Sequence, residues 1–209
     1  FDLDNDTDLD LFFANGHLNS VSGDNRQSNL LFENDGRGRY TDISERSGIL
    51  ATGERIHRSA IFADYDDDGR VDIFVTVNGQ QVEDGQGNNI FDPKQGKGIL
   101  FHNETKSDNN WLKVRLEGTK SNRDGFGATV SITAGPVKDK QALISGQGYF
   151  SANAKEIYFG LGSIDTIEKI DVSWPSGIDQ TFENIPANQT VYIIEGETLH
   201  QNTLYLSVK

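Results

Sequence analysis

The chain opens with an acidic stretch, Phe1-Asp-Leu-Asp-Asn-Asp-Thr-Asp-Leu-Asp-Leu-Phe-Phe13, and repeats its pattern as Ala63-Asp-Tyr-Asp-Asp-Asp-Gly-Arg-Val-Asp-Ile-Phe-Val75. The repeat period, from Asp2 to Asp64, is 64 − 2 = 62 residues. Each copy places aspartate at positions 1, 3, 5 and 9 of a loop, and an apolar run typical of a β-strand follows directly. A loop and strand that recur at this period predict a repeat architecture.

The alternating aspartates predict one calcium ion in each loop, which we call loop 1 (residues 2–10) and loop 2 (residues 64–72). Calcium takes six to eight oxygen ligands, and alternate carboxylates on a tight loop point to one centre. The backbone carbonyl at position 7 adds a further oxygen. The predicted metal-binding residues are Asp2, Asp4, Asp6, Asp8 and Asp10 in loop 1 and Asp64, Asp66, Asp68, Arg70 and Asp72 in loop 2.

Position 6 distinguishes the two loops. Loop 2 has Gly69 there, which supplies the sharp turn, whereas loop 1 has Thr7. Glycine adopts positive φ angles at no steric cost, and a β-branched residue does not. We therefore expect loop 1 to be more strained, with a weaker or only partly filled site, and loop 2 to be the better calcium site.

Other interpretations of the loops fit less well. An EF-hand requires a bidentate glutamate at position 12, where this chain has Phe13 or Val75. Magnesium needs a more rigid octahedral cage, and an all-oxygen ligand set disfavours transition metals. A charged, solvated turn without an ion remains the alternative, but two copies in register make it improbable. A structural role for calcium is favoured over a catalytic one.

The rest of the sequence predicts an all-β protein. Short apolar runs alternate with glycine, asparagine and aspartate, and no sustained helical period occurs, which favours a sandwich, barrel or propeller. Each copy of the repeat later reaches a strand that ends in Phe-x-Asn, at Asn34 and at Asn103. One calcium loop and about four strands per period are typical of a propeller blade.

Three segments are predicted along the chain. Residues 1–108 form partial propeller blades, residues 109–197 form a second β domain, and residues 198–209 form an extension with one more strand at Leu204, Leu206 and Val208. The chain begins inside a motif and lacks an initiator methionine, so we interpret it as a piece of a longer protein.

Charge and composition exclude several function classes. The net charge is −13, and most of it belongs to the two loops, so binding to nucleic acid is not expected. Cysteine is absent, which excludes disulfides and thiolate metal sites. No apolar run approaches the roughly 20 residues of a membrane-spanning helix, so insertion into a membrane is not expected.

The remaining motifs do not predict an enzyme. Gly125-Phe-Gly127 lacks the third glycine of a dinucleotide loop, and neither Ser145 nor Ser151 lies in a nucleophile-elbow sequence. The histidines, His17, His57, His102 and His200, lack paired metal-ligand spacing. The basic residues at the start of the second domain read as a solvated strand face rather than a site for an acidic glycan; they are Lys113, Arg115, Lys120 and Arg123.

Several motifs resemble a known domain combination. The loops and the segment Asn34-Asp-Gly-Arg-Gly-Arg-Tyr-Thr-Asp42 are similar to FG-GAP/VCBS repeats. The stretch Trp111-Leu-Lys-Val-Arg-Leu-Glu-Gly-Thr-Lys-Ser-Asn-Arg-Asp-Gly-Phe-Gly-Ala-Thr-Val130 resembles the opening of an ASPIC/UnbV domain. So do the segments Ser145–Ser151, Phe159–Gly162 and Val172–Gly177. Together they cover about residues 1–196, and the order is similar to that of the cartilage acidic protein family.

The resemblance implies the last blades of an integrin-like, seven-bladed β-propeller followed by a small, β-sandwich-like ASPIC/UnbV domain. It implies two structural calcium ions, no established catalytic activity, and an extracellular, cell-surface or periplasmic location. Its expected partners are a protein or a glycan at the cell surface or matrix, with assembly onto other chains or upstream blades. Two alternatives are a structural subunit of an extracellular assembly or filament and an accessory protein to a biosynthetic enzyme.

Overall fold

The computed structural model describes residues 1–17, 26–78, 81–83, 86, 89–91, 96–198 and 200–201. Within these residues the chain forms β-strands and one short 3-10 helix, η1, at Ile49–Thr52. The all-β prediction is confirmed. No helix of the described residues is long and apolar enough to cross a bilayer.

The strands are β1 Leu11–Phe13, β2 Leu30–Asn34, β3 Tyr40–Asp42, β4 Ile56–Ala63, β5 Asp72–Asn78, β6 Gln81–Glu83, β7 Asn89–Phe91, β8 Ile99–Phe101, β9 Asn110–Glu117, β10 Thr129–Ala134, β11 Val137–Ala142, β12 Glu156–Gly162, β13 Thr166–Ser173, β14 Asp179–Pro186, β15 Gln189–Ile194 and β16 His200–Gln201.

The first half of the chain forms three small antiparallel sheets. Loop 1 leads into the sheet β1-β2-β3, and loop 2 connects β4 to β5 in the sheet β4-β5-β8. Strands β6 and β7 pair as a hairpin. The main sheets thus have three strands each in the described residues, where about four strands per period were predicted. Two loop-and-sheet units in sequence are consistent with neighbouring propeller blades, and the closed ring stays a prediction.

A small apolar core holds the first two sheets together. Leu31, Ile43 and Ile49 are buried, and partly buried side chains from both sheets pack against them, including Phe12 and Phe101. These two rings lie with their centroids 6.1 Å apart. Because Phe12 follows loop 1 and Phe101 ends β8, this contact joins the two repeats directly.

The second half of the chain is a β-sandwich. Two four-stranded sheets, β11-β10-β13-β14 and β12-β9-β15-β16, enclose one large apolar core. Strand β9 shows the underlying alternation: Leu112, Val114 and Leu116 point into this core, so Lys113 and Arg115 lie on the opposite face. That outer face carries the contacts with the two loops. The prediction of a sandwich-like second domain is confirmed.

No sheet of the described residues combines strands from both halves of the chain. This is consistent with a boundary between residues 108 and 109, which stays a prediction. Strand β16 pairs with β15, but the predicted strand residues Leu204, Leu206 and Val208 lie outside the described residues. Trp174 is buried in the sandwich core.

The run Ala142-Leu-Ile-Ser145 predicts a strand from sequence, but in the structure only Ala142 belongs to one. The strand of this region is β11, Val137–Ala142, which pairs with β10 at the edge of its sheet. The sequence Val-Lys-Asp-Lys-Gln-Ala lacks the apolar alternation of a half-buried strand, so its signal was missed. The other edge strand, β14, was missed for the same reason, because most of its side chains are exposed.

Glu195 ties the end of β15 to the turn that follows β9. The side chain is 2% exposed, and its Oε2 accepts hydrogen bonds from the backbone N–H groups of Thr119 (2.8 Å), Lys120 (2.6 Å) and Ser121 (2.7 Å). Its Oε1 accepts from the hydroxyl groups of Ser121, at 2.8 Å, and Ser176. Burial alone would raise the pKa of Glu195, but the hydrogen bonds from Ser176, Ser121 and Lys120 hold that pKa well below its usual range.

The stability that Glu195 contributes is therefore expected to depend on pH. A folded-state pKa below the unfolded value of about 4.3 gives stability that is complete above that pH and is lost as the pH falls. We expect Glu195→Gln to lower the stability at pH 7 and to reduce its loss between about pH 5 and pH 3. The exposed Glu183→Gln is the matched control. Equal pH slopes for Glu195→Gln and the wild type, in urea unfolding, would refute this role.

Candidate metal centres

The two aspartate loops share one backbone conformation. Position 4 has a positive φ in both copies, 62° at Asn5 and 61° at Asp67, and position 6 has φ 86° at both Thr7 and Gly69. Two left-handed residues separated by one residue turn the loop tightly, so the carboxylates at positions 1, 3 and 5 come together. Because the angles agree within a degree, the loops are two copies of one structure.

Hydrogen bonds from the loop backbone orient the carboxylate at position 1. In loop 1, Asp2 accepts from the N–H groups of Asp6 (3.2 Å) and Thr7 (3.0 Å). Asp64 accepts from the corresponding N–H groups of loop 2, at 2.9 and 3.0 Å. Each oxygen keeps a second lone pair for a further partner. The backbone thus fixes the carboxylates without consuming their capacity to bind a cation.

The carboxylate at position 9 explains the recurrent Phe-x-Asn motif. Asp10 Oδ2 accepts from the N–H of Leu3 (2.8 Å), and its Oδ1 accepts from the N–H of Asn34 (2.8 Å). In loop 2, Asp72 accepts hydrogen bonds from the N–H of Asn103 (2.7 Å) and from the N–H of Tyr65 at position 2 (3.1 Å). The asparagine that ends β2 or follows β8 therefore ties its strand back to the loop.

The structure brings most, but not all, of the predicted ligands together. In loop 1, oxygens of Asp2, Asp4 and Asp6 lie within 4.8 Å of one another. In loop 2 the corresponding groups are Asp64 with Asp66 and Asp72, and Asp66 with Asp68 and His102. Asp8 lies outside the loop 1 group, but its Oδ1 is buried and has no hydrogen-bond partner in the described part of the chain.

Among the described residues no basic side chain forms an ion pair with the carboxylates of loop 1, although the amino group of Phe1 lowers the pKa of Asp10. Burial raises the pKa of Asp2 to about 7, although the hydrogen bond from Thr7 opposes the shift. Burial likewise raises the pKa of Asp8 to about 6, and it raises the pKa of both Asp4 and Asp10. The negative charge of at least one neighbouring aspartate raises the pKa of each of these four carboxyl groups further. The loop thus holds a set of oxygen atoms whose negative charge a bound cation would stabilise.

The carboxylates of loop 2 contact a positively charged side chain, Lys113 of β9, which was predicted wrongly from sequence. Lys113 is not on a solvated face: its side chain is fully buried, and its Nζ donates to Asp64 (2.7 Å) and Asp67 (2.5 Å). Burial alone would lower the pKa of Lys113, but these hydrogen bonds raise it, so the amine stays charged. Arg115, of the same predicted cluster, also contacts Asp67, at 3.2 Å. The prediction failed because nothing in β9 reveals which element covers its outer face.

His102 is the second site residue that the sequence analysis missed. Its Nε2 lies 3.2 Å from Asp66 Oδ2 and 3.9 Å from Asp68 Oδ2, and the ring of Tyr65 packs edge-on against it. The histidine occupies the middle position of the Phe-x-Asn motif, where the first repeat has Glu33. Because β8 pairs with β5, this residue is delivered to the loop by strand pairing rather than by sequence spacing.

The loops also contact each other and the sandwich. The side chain of Asn5 donates to the carbonyl of Gly69 (3.1 Å), and its own carbonyl accepts from the N–H of Gly162 (2.9 Å). Tyr158 accepts from the N–H of Asp64 at 3.1 Å. A cavity of about 290 Å³ lies between the loops and the residues around Trp111, and both loops line it. The candidate metal centres therefore lie at the seam between the repeats and the sandwich.

Thr7 is strained by its left-handed conformation, as position 6 predicted. A β-branched side chain at φ 86° costs about 1–2 kcal/mol relative to an allowed region. We expect Thr7→Gly to raise the free energy of unfolding by about 0.5–1 kcal/mol in EDTA, since glycine relieves this strain but loses more conformational entropy. Urea unfolding measures the change. Thr7→Ala, which keeps Cβ, should gain less, and a destabilised Thr7→Gly would contradict the assignment of strain.

Comparison with known proteins gives two family matches. Residues 2–75 match the FG-GAP-like repeat, and residues 118–200 match the family described as ASPIC and UnbV. The first match includes both aspartate loops, and the second includes most of the sandwich. The order is the one that the sequence motifs predicted.

Three curated relatives match most of this chain. Cartilage acidic protein 1 of Homo sapiens is 26% identical over 177 residues, which is 84% of this chain and 24% of that protein. The Mus musculus protein of the same name is 26% identical, and that of Xenopus tropicalis is 27% identical over 180 residues. The chain spans about a quarter of the length of these relatives. The chain thus matches the FG-GAP-like repeat in its first half and the ASPIC and UnbV family in its second, and it is homologous to cartilage acidic protein 1 at 26% identity.

Proposed function

We propose that this chain is a calcium-stabilised, non-catalytic interaction module that acts outside the cell. The observation that carries the proposal is the pair of congruent aspartate loops at the seam between the repeats and the sandwich. A cation there links segments that otherwise bring several like charges together. The site is therefore suited to hold the two parts in one arrangement rather than to transform a substrate.

The residues of loop 1 fit calcium. Asp2, Asp4 and Asp6 supply convergent carboxylates, and the buried Oδ1 of Asp8 is a further oxygen without a partner among the described residues. Calcium prefers such an all-oxygen set over nitrogen or sulfur ligands. When bound, the ion supplies positive charge and oxygen coordination. The chain itself supplies the fixed backbone hydrogen bonds that keep the carboxylates in place.

The charged groups next to the loops support a structural role. Lys113 is held by Asp64 and Asp67, and Arg115 pairs with Glu156, whose other oxygen accepts from Tyr158. These groups join parts of the fold to one another. Such a network differs from a catalytic site, which needs an acid–base pair open to a substrate.

An extracellular location and a binding partner are proposed from the homology. The relatives carry the name cartilage acidic protein, which favours a matrix or cell-surface setting over the periplasm and a protein or glycan partner. Binding to immobilised proteins and glycans, with and without calcium, tests this part. The alternative of an assembly or filament subunit predicts self-association in light scattering, and that of an accessory protein predicts co-purification with a biosynthetic enzyme.

Calcium titration tests the metal part of the proposal. Isothermal calorimetry on the wild type is expected to show binding, and a variant with Asp4, Asp6, Asp66 and Asp68 all changed to asparagine is expected to show none. Asp179→Asn is the matched control, because Asp179 is exposed at the start of β14 and distant in sequence from both loops. No heat of binding for the folded wild type, or undiminished binding by the fourfold variant, would refute calcium in the loops.

A further inference from the structure

The carboxylates of loop 2 already have partners that carry nitrogen. Asp64 contacts Lys113 Nζ at 2.7 Å, and Asp66 contacts His102 Nε2 at 3.2 Å. Asp68 forms an ion pair with the guanidinium group of Arg70. The aspartates at positions 1, 3 and 5, which are the predicted core of the calcium site, therefore each meet a different side chain of the protein.

Loop 1 has none of these partners. The residue that corresponds to Arg70 is Asp8, and the residue that corresponds to His102 is Glu33. The backbone of Gly160 packs against Asp2, and a Cβ at that glycine would overlap Asp2 Oδ2. Among the described residues no basic side chain forms an ion pair with the carboxylates at positions 1, 3 and 5 of loop 1. Each loop 2 carboxylate thus lies next to a nitrogen-bearing side chain, whereas the matching places in loop 1 hold an acidic residue or the backbone of a glycine.

We propose that the two loops have diverged in how they hold their carboxylates: loop 1 is the tight calcium site, and Lys113 of the sandwich takes over much of the ion's role in loop 2. The inference rests on the proposed function, because it assumes that calcium binds these loops. It reverses the order that Gly69 and Thr7 predicted from sequence. The physical reason is that charge compensation outweighs the strain of a single residue.

The buried ammonium group lowers the calcium affinity of loop 2 in two ways. It would repel a divalent cation bound to the loop, since burial reduces screening, and it occupies the second lone pair of Asp64 Oδ2, which also accepts from the N–H of Gly69. We expect calcium to bind loop 2 at least about 10-fold more weakly than loop 1, which equals about 1.4 kcal/mol. Since Lys113 belongs to β9, loop 2 stays attached to the sandwich without calcium.

Loop-specific variants separate the two sites. We expect calorimetry with calcium to resolve one tight site in the wild type, to lose it in Asp4→Asn/Asp6→Asn, and to keep it in Asp66→Asn/Asp68→Asn. Loss of the tight site from the second variant but not the first would overturn the inference. Two sites of equal affinity would overturn it as well. Absence of any calcium binding by the folded wild type refutes the proposed function itself, a result that the other two cannot produce.

Lys113→Gln tests the role of the lysine directly. In the Asp4→Asn/Asp6→Asn background, where loop 1 is silent, we expect Lys113→Gln to tighten calcium binding to loop 2 at least about 10-fold. Lys155→Gln is the matched control, because Lys155 is exposed and pairs with Asp124 instead. If Lys113→Gln does not fold, the calcium affinity of Arg70→Gln is measured instead. This variant removes the ion pair with Asp68 at a partly exposed side chain and leaves the backbone carbonyl of residue 70 in place. Unchanged affinity in the folded variants overturns the proposal.

Discussion

Removal of calcium with EDTA is expected to lower the melting temperature of this chain by about 8–16 °C. A ligand present at about 1,000 times its Kd stabilises the folded state by about 4 kcal/mol. For a chain of this size, each kcal/mol shifts the melting temperature by about 2–4 °C. The physical origin is the group of partly buried loop 1 carboxylates, which lie close together and form no ion pair with a basic side chain of the described residues.

The same experiment on loop variants identifies the source of the shift. Asp4→Asn/Asp6→Asn should melt at nearly the same temperature with calcium and with EDTA, because loop 1 carries most of the effect. Asp66→Asn/Asp68→Asn should keep most of the response, and Asp179→Asn should keep all of it. An EDTA response that survives in the loop 1 variant would contradict this account, as would a wild type that melts alike in both buffers.

Lys113→Met is expected to be the most damaging single substitution in the seam. Both Lys113 and Asp64 have fully buried side chains. Removing one partner of such a pair leaves an uncompensated buried charge and costs about 3–5 kcal/mol. The measurement is urea unfolding in EDTA, since calcium in loop 2 would restore part of the lost charge compensation. A loss of this size would show that the two parts of the chain are coupled through this lysine.

Two controls show whether the loss comes from the buried pair. Arg123→Met removes an ion pair with Glu117 in which the arginine side chain is 83% exposed, and it should change the stability by less than about 1 kcal/mol. A double-mutant cycle between Lys113→Met and Asp64→Asn measures their coupling, which should exceed that of the surface pair. If Lys113→Met were as stable as Arg123→Met, the ion pair of Lys113 would only offset the free-energy cost of burying the ammonium group.

The loops could be predicted from sequence because their information is local. Aspartates at alternate positions, a repeat in register and a following apolar strand fix both the turn and the direction of the carboxylates. The same holds for the sandwich strands whose apolar residues alternate, such as Leu112, Val114 and Leu116 in β9. Edge strands β11 and β14 were missed because their exposed side chains leave no such pattern.

The partners of the loops could not be predicted, because they come from distant segments. Lys113 lies 49 residues beyond Asp64, and His102 reaches Asp66 only through the pairing of β8 with β5. In sequence, a lysine between two core residues of a strand reads as a solvated side chain. The expected ranking of the two calcium sites rested on position 6 alone, and the contacts of Lys113 are the reason that we propose the opposite order.

Crystals grown with calcium, measured at a wavelength where calcium scatters anomalously, would show directly which loop holds the ion. We expect a strong anomalous peak among the carboxylates of Asp2, Asp4 and Asp6, with oxygen ligands at about 2.3–2.6 Å. We expect a weaker peak, or none, in loop 2, with Lys113 still bound to Asp64. No peak in loop 1 at millimolar calcium, or a peak confined to loop 2, would contradict it.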